Sequence, residues 1–370
     1  TAINVCWNFM HSLSHHLNED TNPFEYIDKP TAKNILDSLL IPSSDTISAV
    51  HHEASTQTNI ILIVWESFTG KVIDAYKNGI EITPGFNRLK KEGLYFSDIY
   101  ATGDRTDKGI VGILSGYPAQ PITSIIKVPQ KADKLPKLPE MFFQHGYHTS
   151  FYYGGELEFA NMKSYLMGCG FKHFVSKGNF DSKDQNSKWG AHDGVVMQKI
   201  QNDLNNQKSP FFTTWLTLSS HEPYETPVEP VIKGSDNESL FLNSLHYSDT
   251  VVSEFIEHCK KQPFWKNTLI IIVADHGHRL PAFKNKINDF KIPMLWLGGA
   301  LSRPSEIITT TGSQIDLPAM LTKQLGMQNE KFTWSKNILT HKPQPWAYFS
   351  FNNGFGWVKN KEDYFIFDNI

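Results

Sequence analysis

Residues Thr268–Pro281 read TLIIIVADHGHRLP, and this stretch decides the fold. Its unbroken apolar run, Leu269 to Val273, is typical of a central strand that a parallel sheet buries on both faces. At 275–279 the run changes to the polar stretch DHGHR. Because open α/β sheets bind ligands at the carboxyl ends of their strands, we interpret this polar stretch as part of a site. Asp-His-Gly alone has an alternative interpretation, a strand that runs into a polar surface loop.

The composition limits the class of protein. The chain has 370 residues, 40% hydrophobic and 13% aromatic, which is enough for one large α/β domain and a smaller appendage. A net charge of -3 with scattered basic residues excludes a nucleic-acid-binding surface. The three cysteines, Cys6, Cys169 and Cys259, lack metal-ligand spacing, and no apolar run approaches the ~20 residues of a membrane span. Since residue 1 is Thr and there is no signal peptide, we expect a processed form or an excised soluble part.

A second buried strand is predicted at Asn59–Trp65, which reads NIILIVW. It runs directly into Glu66, so a carboxylate again stands at the carboxyl end of a strand. Residues 67–76 could form a helix, and Glu66 would then be an acid that caps this helix. Both interpretations of Glu66 are open at this point.

A third strand, Leu94–Tyr100, is followed by ATGDRTDKG at 101–109 and by an apolar helix from Ile110 to Leu114. Thr106 is therefore expected near a helix N-terminus, where free backbone N–H groups and the helix dipole favour an anion. The alternative is that Thr106 or its neighbour only caps the helix. A cap does not need the cations Arg105 and Lys108 around it, which favours the functional interpretation.

A fourth buried strand is predicted at 210–218, PFFTTWLTL, and it ends at Ser219-Ser220-His221. His221 is either a further site residue at a strand end or a surface loop histidine. An amphipathic helix is predicted over Glu238–Lys261. Short aromatic strands at 346–351, 355–359 and 364–368 predict a closing antiparallel meander.

Four strand ends thus carry Glu66, Thr106, His221 and the pair Asp275-His276. In a doubly wound sheet such ends meet in one crevice. Two carboxylates, an imidazole and a hydroxyl can coordinate one divalent ion. A hydroxyl beside such an ion loses its proton more readily, and it becomes a nucleophile near neutral pH.

The sequence resembles the alkaline phosphatase and sulfatase superfamily, and within it the extracellular domain of the lipoteichoic acid synthase family. The resemblance covers residues from about 57 to 325. The motifs that carry it are Glu66 in VWESF, Thr106 in GDRTDKG, His221 in LSSHEPY, and Asp275 and His276 in ADHGHR.

The resemblance implies an α/β fold with a doubly wound, mostly parallel sheet flanked by helices, and a small C-terminal antiparallel sheet. Three segments are expected: an N-terminal helical or linker segment at 1–56, a sulfatase-like catalytic domain at 57–325, and a C-terminal subdomain at 326–370. The implied cofactor is one divalent metal ion, manganese first, with zinc or magnesium as alternatives. Its expected ligands are Glu66, Thr106, Asp275 and His276.

The implied activity is transfer of a phosphoglycerol-type head group from a phospholipid phosphodiester to a lipid or glycan acceptor, through a phosphothreonine at Thr106. The alternatives are a phosphodiesterase, phosphatase or sulfatase-like hydrolase that uses water, and a non-catalytic binding domain. Residues expected to neutralise phosphate charge are Arg105, Lys108, His221, His278 and Arg279. The resemblance places the domain outside the cytoplasm, at the cell surface or in the periplasm. It also implies a membrane anchor N-terminal to this chain.

Three features distinguish this sequence from related proteins and from the alternative enzyme classes. The synthases carry a Phe-Trp-Asn-Arg stretch for the glycerophosphate head group, whereas residues 159–162 here read FANM, so the head group stays open. The Cys/Ser-x-Pro/Ala-x-Arg motif of formylglycine sulfatases is absent, and neither Asp249 nor Asp316 is followed by the histidines of a second metal site. One catalytic ion is therefore expected.

Overall fold

The computed structural model describes residues 27–41, 45–51, 57–208, 210–327 and 330–369, together with 6, 7, 9, 10 and 14. The chain divides into two units, residues 1–41 and 42–370. In the first unit, helix α1 (Lys29–Leu39) has Asp28 as its N-cap, which accepts a hydrogen bond from Thr31 N at 2.9 Å. Much of the segment at 1–56 lies outside the described residues, and the predicted three-segment division stays a prediction. None of the described helices combines the length and apolarity needed to cross a bilayer.

A nine-stranded sheet forms the centre of the second unit. Its strands are β1 (Asn59–Trp65), β4 (Leu94–Tyr100), β5 (His148–Tyr153), β6 (His173–Val175), β7 (Phe211–Leu216), β8 (Thr268–Ala274), β9 (Lys291–Leu297), β10 (Glu306–Ile308) and β11 (Gly312–Ser313). Their order is β10-β4-β9-β8-β1-β7-β5-β6, and β11 pairs with β4. A separate hairpin contains β2 (Tyr76–Lys77) and β3 (Ile80–Glu81).

The two long apolar runs of the sequence, β1 and β8, are neighbours in this sheet. All seven residues of β1 and all seven of β8 are buried, because helices cover both faces of the sheet. β1 is parallel to β7 and to β8, whereas β9 is antiparallel to β4 and β8. The predicted doubly wound, mostly parallel α/β fold is confirmed.

Helices connect the strands of the second unit. They are α2 (Pro84–Leu89), α3 (Thr106–Ser115), α4 (Pro129–Ala132), α5 (Leu138–Gln144), α6 (Met162–Gly168), α7 (Asp193–Asn206), α8 (Asn237–Lys260) and α9 (Leu317–Gln324). The predicted helix over 238–261 is α8. The possible helix at 67–76 is only a short 3-10 turn, Gly70–Val72. A regular helix cannot begin at Ser67, because this residue adopts a left-handed φ of 57°.

Strand register brings the chemically important strand ends together. Trp65 is the partner of Ala274 in the β1–β8 pair, and Val64 is the partner of Leu216 in the β1–β7 pair. The residues that follow these three strands therefore share one edge of the sheet. This edge is the position at which α/β proteins bind ligands.

The predicted C-terminal meander is confirmed as an antiparallel sheet of β12 (Ala347–Phe351), β13 (Gly354–Val358) and β14 (Tyr364–Asp368). Phe349 on its inner face stacks on Phe290 with ring centroids 4.0 Å apart. Ser350 N donates to Thr102 O at 2.9 Å. The small sheet is thus attached beside the carboxyl end of β4.

Candidate active site

Glu66, Asp275 and His276 form a compact, buried cluster at the carboxyl edge of β1 and β8. Each offers one ligand atom, and these atoms all lie within 4.8 Å of one another. His276 Nε2 lies 3.5 Å from Glu66 Oε1 and 3.6 Å from Asp275 Oδ2. The structure therefore brings together Glu66, Asp275 and His276, which were predicted as metal ligands together with Thr106.

Backbone contacts fix the Asp275 carboxylate and leave one of its oxygens unused. Oδ1 accepts hydrogen bonds from Ser67 N at 2.9 Å and from His276 N at 2.8 Å. Oδ2 is buried and has no hydrogen-bond partner among the described residues. An unpaired buried carboxylate oxygen is costly unless a cation satisfies it. This oxygen and the mixed carboxylate–imidazole donor set fit a divalent transition metal or zinc.

The electrostatics of the cluster agree with a site that holds positive charge. Burial opposes ionisation of Glu66, but the hydrogen bond and charge of His276 and the charge of His221 hold the pKa of Glu66 below its usual range. Burial and the neighbouring Glu66 raise the pKa of Asp275. Burial opposes protonation of His276, yet the two carboxylates raise its pKa well above the usual value. Two buried carboxylates thus attract a proton, and a bound cation would replace it.

Thr106 is the first residue of α3, and its hydroxyl reaches the cluster. Oγ1 donates to Glu66 Oε2 at 3.1 Å. The residue before it, Arg105, occupies the N-cap position without a side-chain capping bond. Thr106 therefore combines the predicted position at a helix N-terminus with a contact to a carboxylate of the cluster.

Gly109 allows α3 to approach the end of β8. A Cβ atom at this position would lie 1.9 Å from Asp275 O, which is far too close. The last glycine of the 101–109 turn is thus required for close packing of the helix that carries Thr106 against the cluster. Any side chain here would push Thr106 away from Glu66.

The two cations flanking Thr106 differ in their surroundings. The side chain of Arg105 is exposed and makes no hydrogen bond or ion pair with any described residue. Lys108 is buried, and its Nζ donates to Asp104 Oδ1 and to Pro121 O, both at 3.0 Å. These bonds hold the turn that carries Thr106. The predicted contact of Lys108 with substrate stays a prediction.

His221 follows β7 on the same edge, and its ring packs edge-on against Trp189 with centroids 4.9 Å apart. His221 Nδ1 lies 2.9 Å from Glu222 O. The turn before it is held by Asp193, the first residue of α7. The buried carboxylate of Asp193 accepts from Leu218 N at 2.7 Å and from Ser219 N at 3.1 Å. Asp193 thus positions the segment that carries His221.

His278 and Arg279 follow the cluster residues on the loop after β8. Leu280 N donates to His278 Nδ1 at 3.1 Å, so a neutral His278 carries its proton on Nε2, 3.3 Å from Tyr224 Oη. Arg279 is exposed and makes no side-chain ion pair in the described part of the chain. Its predicted contact with substrate charge is compatible with this exposure but stays a prediction.

Three buried side chains that the sequence did not single out, Lys71, Asp193 and Gln314, hold the site together. Lys71 Nζ donates to Arg279 O at 3.1 Å, to Pro281 O at 2.9 Å and to Asp289, and so anchors the loop after β8. Sequence alone gives no signal for these three residues, because each acts on backbone atoms of a distant segment.

Gln314 links the two halves of the site. Its Nε2 donates to Ala274 O at 3.0 Å and to Asp275 O at 2.9 Å, and its Oε1 accepts from Thr102 N at 2.7 Å. Tyr153, the last residue of β5, is a further unpredicted neighbour. Burial raises its pKa, and the nearby carboxylates of Glu66, Asp275 and Asp193 raise it further. The phenol is therefore neutral at the edge of the cluster.

Comparison with known proteins identifies related sequences. A family model described as Sulfatase matches residues 58–327. The chain is 21% identical over 315 residues to a lipoteichoic acid synthase-like protein of Bacillus subtilis, covering 78% of this chain and 51% of that protein. It is 25% identical over 240 residues to the lipoteichoic acid synthase of Staphylococcus aureus, covering 61% of this chain and 37% of that protein. The chain therefore spans about half, or less, of the length of these relatives.

Solved structures share the fold. A protein in the alkaline phosphatase superfamily from Vibrio parahaemolyticus has a TM-score of 0.79 and 25% sequence identity, over 90% of this chain and 85% of that chain. A lipoteichoic acid synthase from Listeria monocytogenes has a TM-score of 0.75 and 19% identity, over 88% of this chain and 86% of that chain. The resemblance inferred from four short motifs is confirmed at the level of the whole fold.

Proposed function

Because this chain belongs to the sulfatase family, within the alkaline phosphatase superfamily of enzymes, we propose that it transfers a phosphoglycerol-type head group from a phospholipid to a lipid or glycan acceptor. The observation that carries the proposal is the hydrogen bond of 3.1 Å from Thr106 Oγ1 to Glu66 Oε2. It joins a hydroxyl at a helix N-terminus to a buried cluster suited to a divalent ion. The similarity to lipoteichoic acid synthases supports a phospholipid as the donor.

The proposed metal ligands are Glu66, Thr106, Asp275 and His276, with manganese as the first candidate and zinc or magnesium as alternatives. When bound, the ion would act as a Lewis acid that polarises a phosphoryl oxygen and favours ionisation of a nearby hydroxyl. The chain's own residues provide the rest. Asp275 and His276 are held rigidly by backbone contacts, and Thr106 presents its hydroxyl beside them.

In the proposed reaction Thr106 Oγ1 attacks the phosphorus of the lipid phosphodiester. An Oγ1–P bond forms, the P–O bond to diacylglycerol breaks, and the diacylglycerol oxygen takes up the proton that the Thr106 hydroxyl loses. The head group is then linked to Thr106 as a phosphodiester. A hydroxyl of the acceptor attacks the same phosphorus, releases Thr106 and transfers its own proton to the threonine oxygen. Arg105, Lys108, His221, His278 and Arg279 are the proposed partners of the phosphate charge.

The proposal is tested by the products formed from phosphatidylglycerol. Purified protein with added Mn²⁺ should release diacylglycerol, measured by lipid chromatography, and should release little free phosphate from a generic phosphate monoester. Phosphate release without any diacylglycerol would reverse the assignment and favour a phosphatase.

Transfer to water is the second candidate function. Residues 159–162, FANM, provide no cation or indole for a glycerophosphate head group, and their Ala160 has a left-handed φ of 51°. Hydrolysis is distinguished by adding a glycolipid acceptor. A transferase forms a larger glycolipid product, whereas a hydrolase releases free glycerophosphate at the same rate with or without acceptor.

The proposed location is outside the cytoplasm, with the complete protein anchored in the cell membrane by residues N-terminal to this chain. The greater length of the curated relatives supports this arrangement. A membrane lipid would then be available as the donor.

Arg105→Ala should lower turnover by about tenfold while the melting temperature changes by no more than a few degrees. The guanidinium contacts no described residue, so its removal costs the fold little, whereas a charge-assisted bond to a phosphate contributes about 1.5–3 kcal/mol. Arg88→Ala is the matched control, because Arg88 is an exposed arginine that meets Glu257 at 3.4 Å, away from the cluster. A large loss of stability with unchanged specific activity would show that Arg105 is structural.

A further inference from the structure

Three loops around the candidate site carry large apolar side chains that are strongly exposed. Ile122 is 77% exposed, Phe159 is 65% exposed and Phe283 is 54% exposed. We propose that these three side chains, the mouth residues, dock the site onto an anionic phospholipid surface. The inference rests on the proposed function, because it takes the substrate to be a membrane lipid. Isolated exposed hydrophobic residues are ordinary, so their common position is the feature that matters.

Ile122 lies beside the helix that carries Thr106. The segment around it folds back on the first turn of α3. Lys108 Nζ donates to Pro121 O at 3.0 Å, and Ser124 Oγ donates to Asp107 O at 2.8 Å. Ile122 is therefore held between two contacts to this turn while its own side chain points into solvent.

Phe159 lies on the loop that follows β5 and its Gly154-Gly155 turn. Asn161 Nδ2, two residues further on, donates to Ile126 O at 2.8 Å. This bond joins the loop of Phe159 to the segment of Ile122. The exposed side chains of Ile122 and Phe159 thus belong to neighbouring loops.

Phe283 lies on the loop that follows Asp275 and His276. Lys71 Nζ stands 5.4 Å from the centroid of its ring, and the same ammonium bonds to Arg279 O and Pro281 O. Because β1, β4, β5 and β8 end at the same edge of the sheet, the segments that carry the three side chains lie at the edge that holds the candidate site.

Charge complementarity favours an anionic lipid surface as the occupant. Arg105 and Arg279 are exposed at the mouth and make no ion pair with a described residue. Two acids on these loops are paired, Asp104 with Lys108 and Glu158 with Lys163. Cations beside exposed aromatic and aliphatic side chains are the combination that binds lipid interfaces. A protein partner seated on all three loops would cover the candidate site, whereas a bilayer would present its lipids to it.

Vesicle co-sedimentation tests the proposal without turnover. Wild-type protein should bind vesicles of equal parts phosphatidylcholine and phosphatidylglycerol more strongly than vesicles of phosphatidylcholine alone. The triple variant Ile122→Ser, Phe159→Ser, Phe283→Ser should lower the partition coefficient on the mixed vesicles about tenfold, because it removes the apolar anchors. Each single substitution should give a smaller loss, which protects the test against misfolding of the triple variant.

Ile307→Ser is the matched control. Ile307 is 62% exposed on β10, where it pairs with Tyr95 near the amino end of β4, away from the mouth. Its substitution should leave vesicle binding unchanged. Equal loss in this control, or wild-type binding by the triple variant, would overturn the proposal. If vesicle binding is absent while diacylglycerol release persists, the docking surface is wrong and the proposed function stands. If the protein binds vesicles but releases no diacylglycerol, the docking surface stands and the proposed function is wrong.

Discussion

Thr106→Ala should yield folded protein whose turnover has fallen by several powers of ten. Removing a covalent nucleophile commonly costs on the order of 10⁴-fold or more in rate. Losing a helix cap costs only ~1 kcal/mol of stability, and Thr106 occupies the first helical position while Arg105 is the N-cap. If Thr106 is the nucleophile, the variant loses activity and keeps its fold. If Thr106 only stabilises the start of the helix, the variant loses a little stability and keeps its activity. The measurement is diacylglycerol release from phosphatidylglycerol, with circular dichroism as the check of folding.

Two further variants sharpen this test. Thr106→Ser keeps a hydroxyl and should retain part of the activity, whereas Thr250→Ala, at an exposed threonine of α8, should behave as wild type. Mass spectrometry of wild-type protein trapped with substrate should find a phosphoryl-linked adduct in the peptide that contains residues 103–108. Near-normal activity of Thr106→Ala on every phosphodiester tested would exclude the phosphothreonine mechanism.

Asp275→Ala should lose the bound ion. Loss of even a supporting residue commonly lowers metal affinity by about 10–100-fold, and a direct ligand should cost at least as much. Asp275 Oδ2 is the buried oxygen without a partner among the described residues, so its removal leaves the carboxylate of Glu66 and the imidazole of His276 without their common neighbour. Elemental analysis after gel filtration should give about one ion per wild-type chain and almost none in the variant.

Asp249→Asn is the control for this measurement. Asp249 is also a buried carboxylate, but it accepts hydrogen bonds from Gly85 N and Phe86 N at the start of α2, both at 2.7 Å. Burial raises the pKa of Asp249 to about 7. Because the Asn amide NH₂ would face one of these two backbone N–H donors, circular dichroism accompanies this control as a check of folding. The control should keep the ion. Stoichiometric metal in Asp275→Ala would show that the cluster is not the metal site.

The parts of the site that could be predicted from sequence are those that follow long apolar strands. β1 and β8 are seven-residue runs of buried side chains, so the sequence by itself marks Glu66 and Asp275 as polar residues at strand ends. Thr106 is marked by its turn and the helix after it. For Glu66, Thr106 and Asp275, the position predicted from the local sequence is the position that the residue has in the folded structure.

The unpredicted parts depend on contacts between distant segments. Gln314 reaches Thr102, which is 212 residues away in sequence, and Lys71 reaches Pro281, which is 210 residues away. A buried glutamine or lysine has no local pattern that distinguishes it from a solvated one. Lys108 is a further case: its sequence position places it beside Thr106 but does not reveal that its side chain bonds to Asp104 and Pro121.

The central place of β1 has a consequence for biosynthesis. β1 is the first strand of the large sheet to leave the ribosome, yet Glu66 at its end bonds to Thr217, 151 residues later, and its other neighbour β8 is more distant still. At roughly 5–20 residues per second, the nascent chain exposes NIILIVW for on the order of ten seconds before a partner strand exists. Such an uncharged, β-prone segment aggregates readily. We therefore expect chaperone binding to the growing chain at this segment, which is also the segment that delivers Glu66.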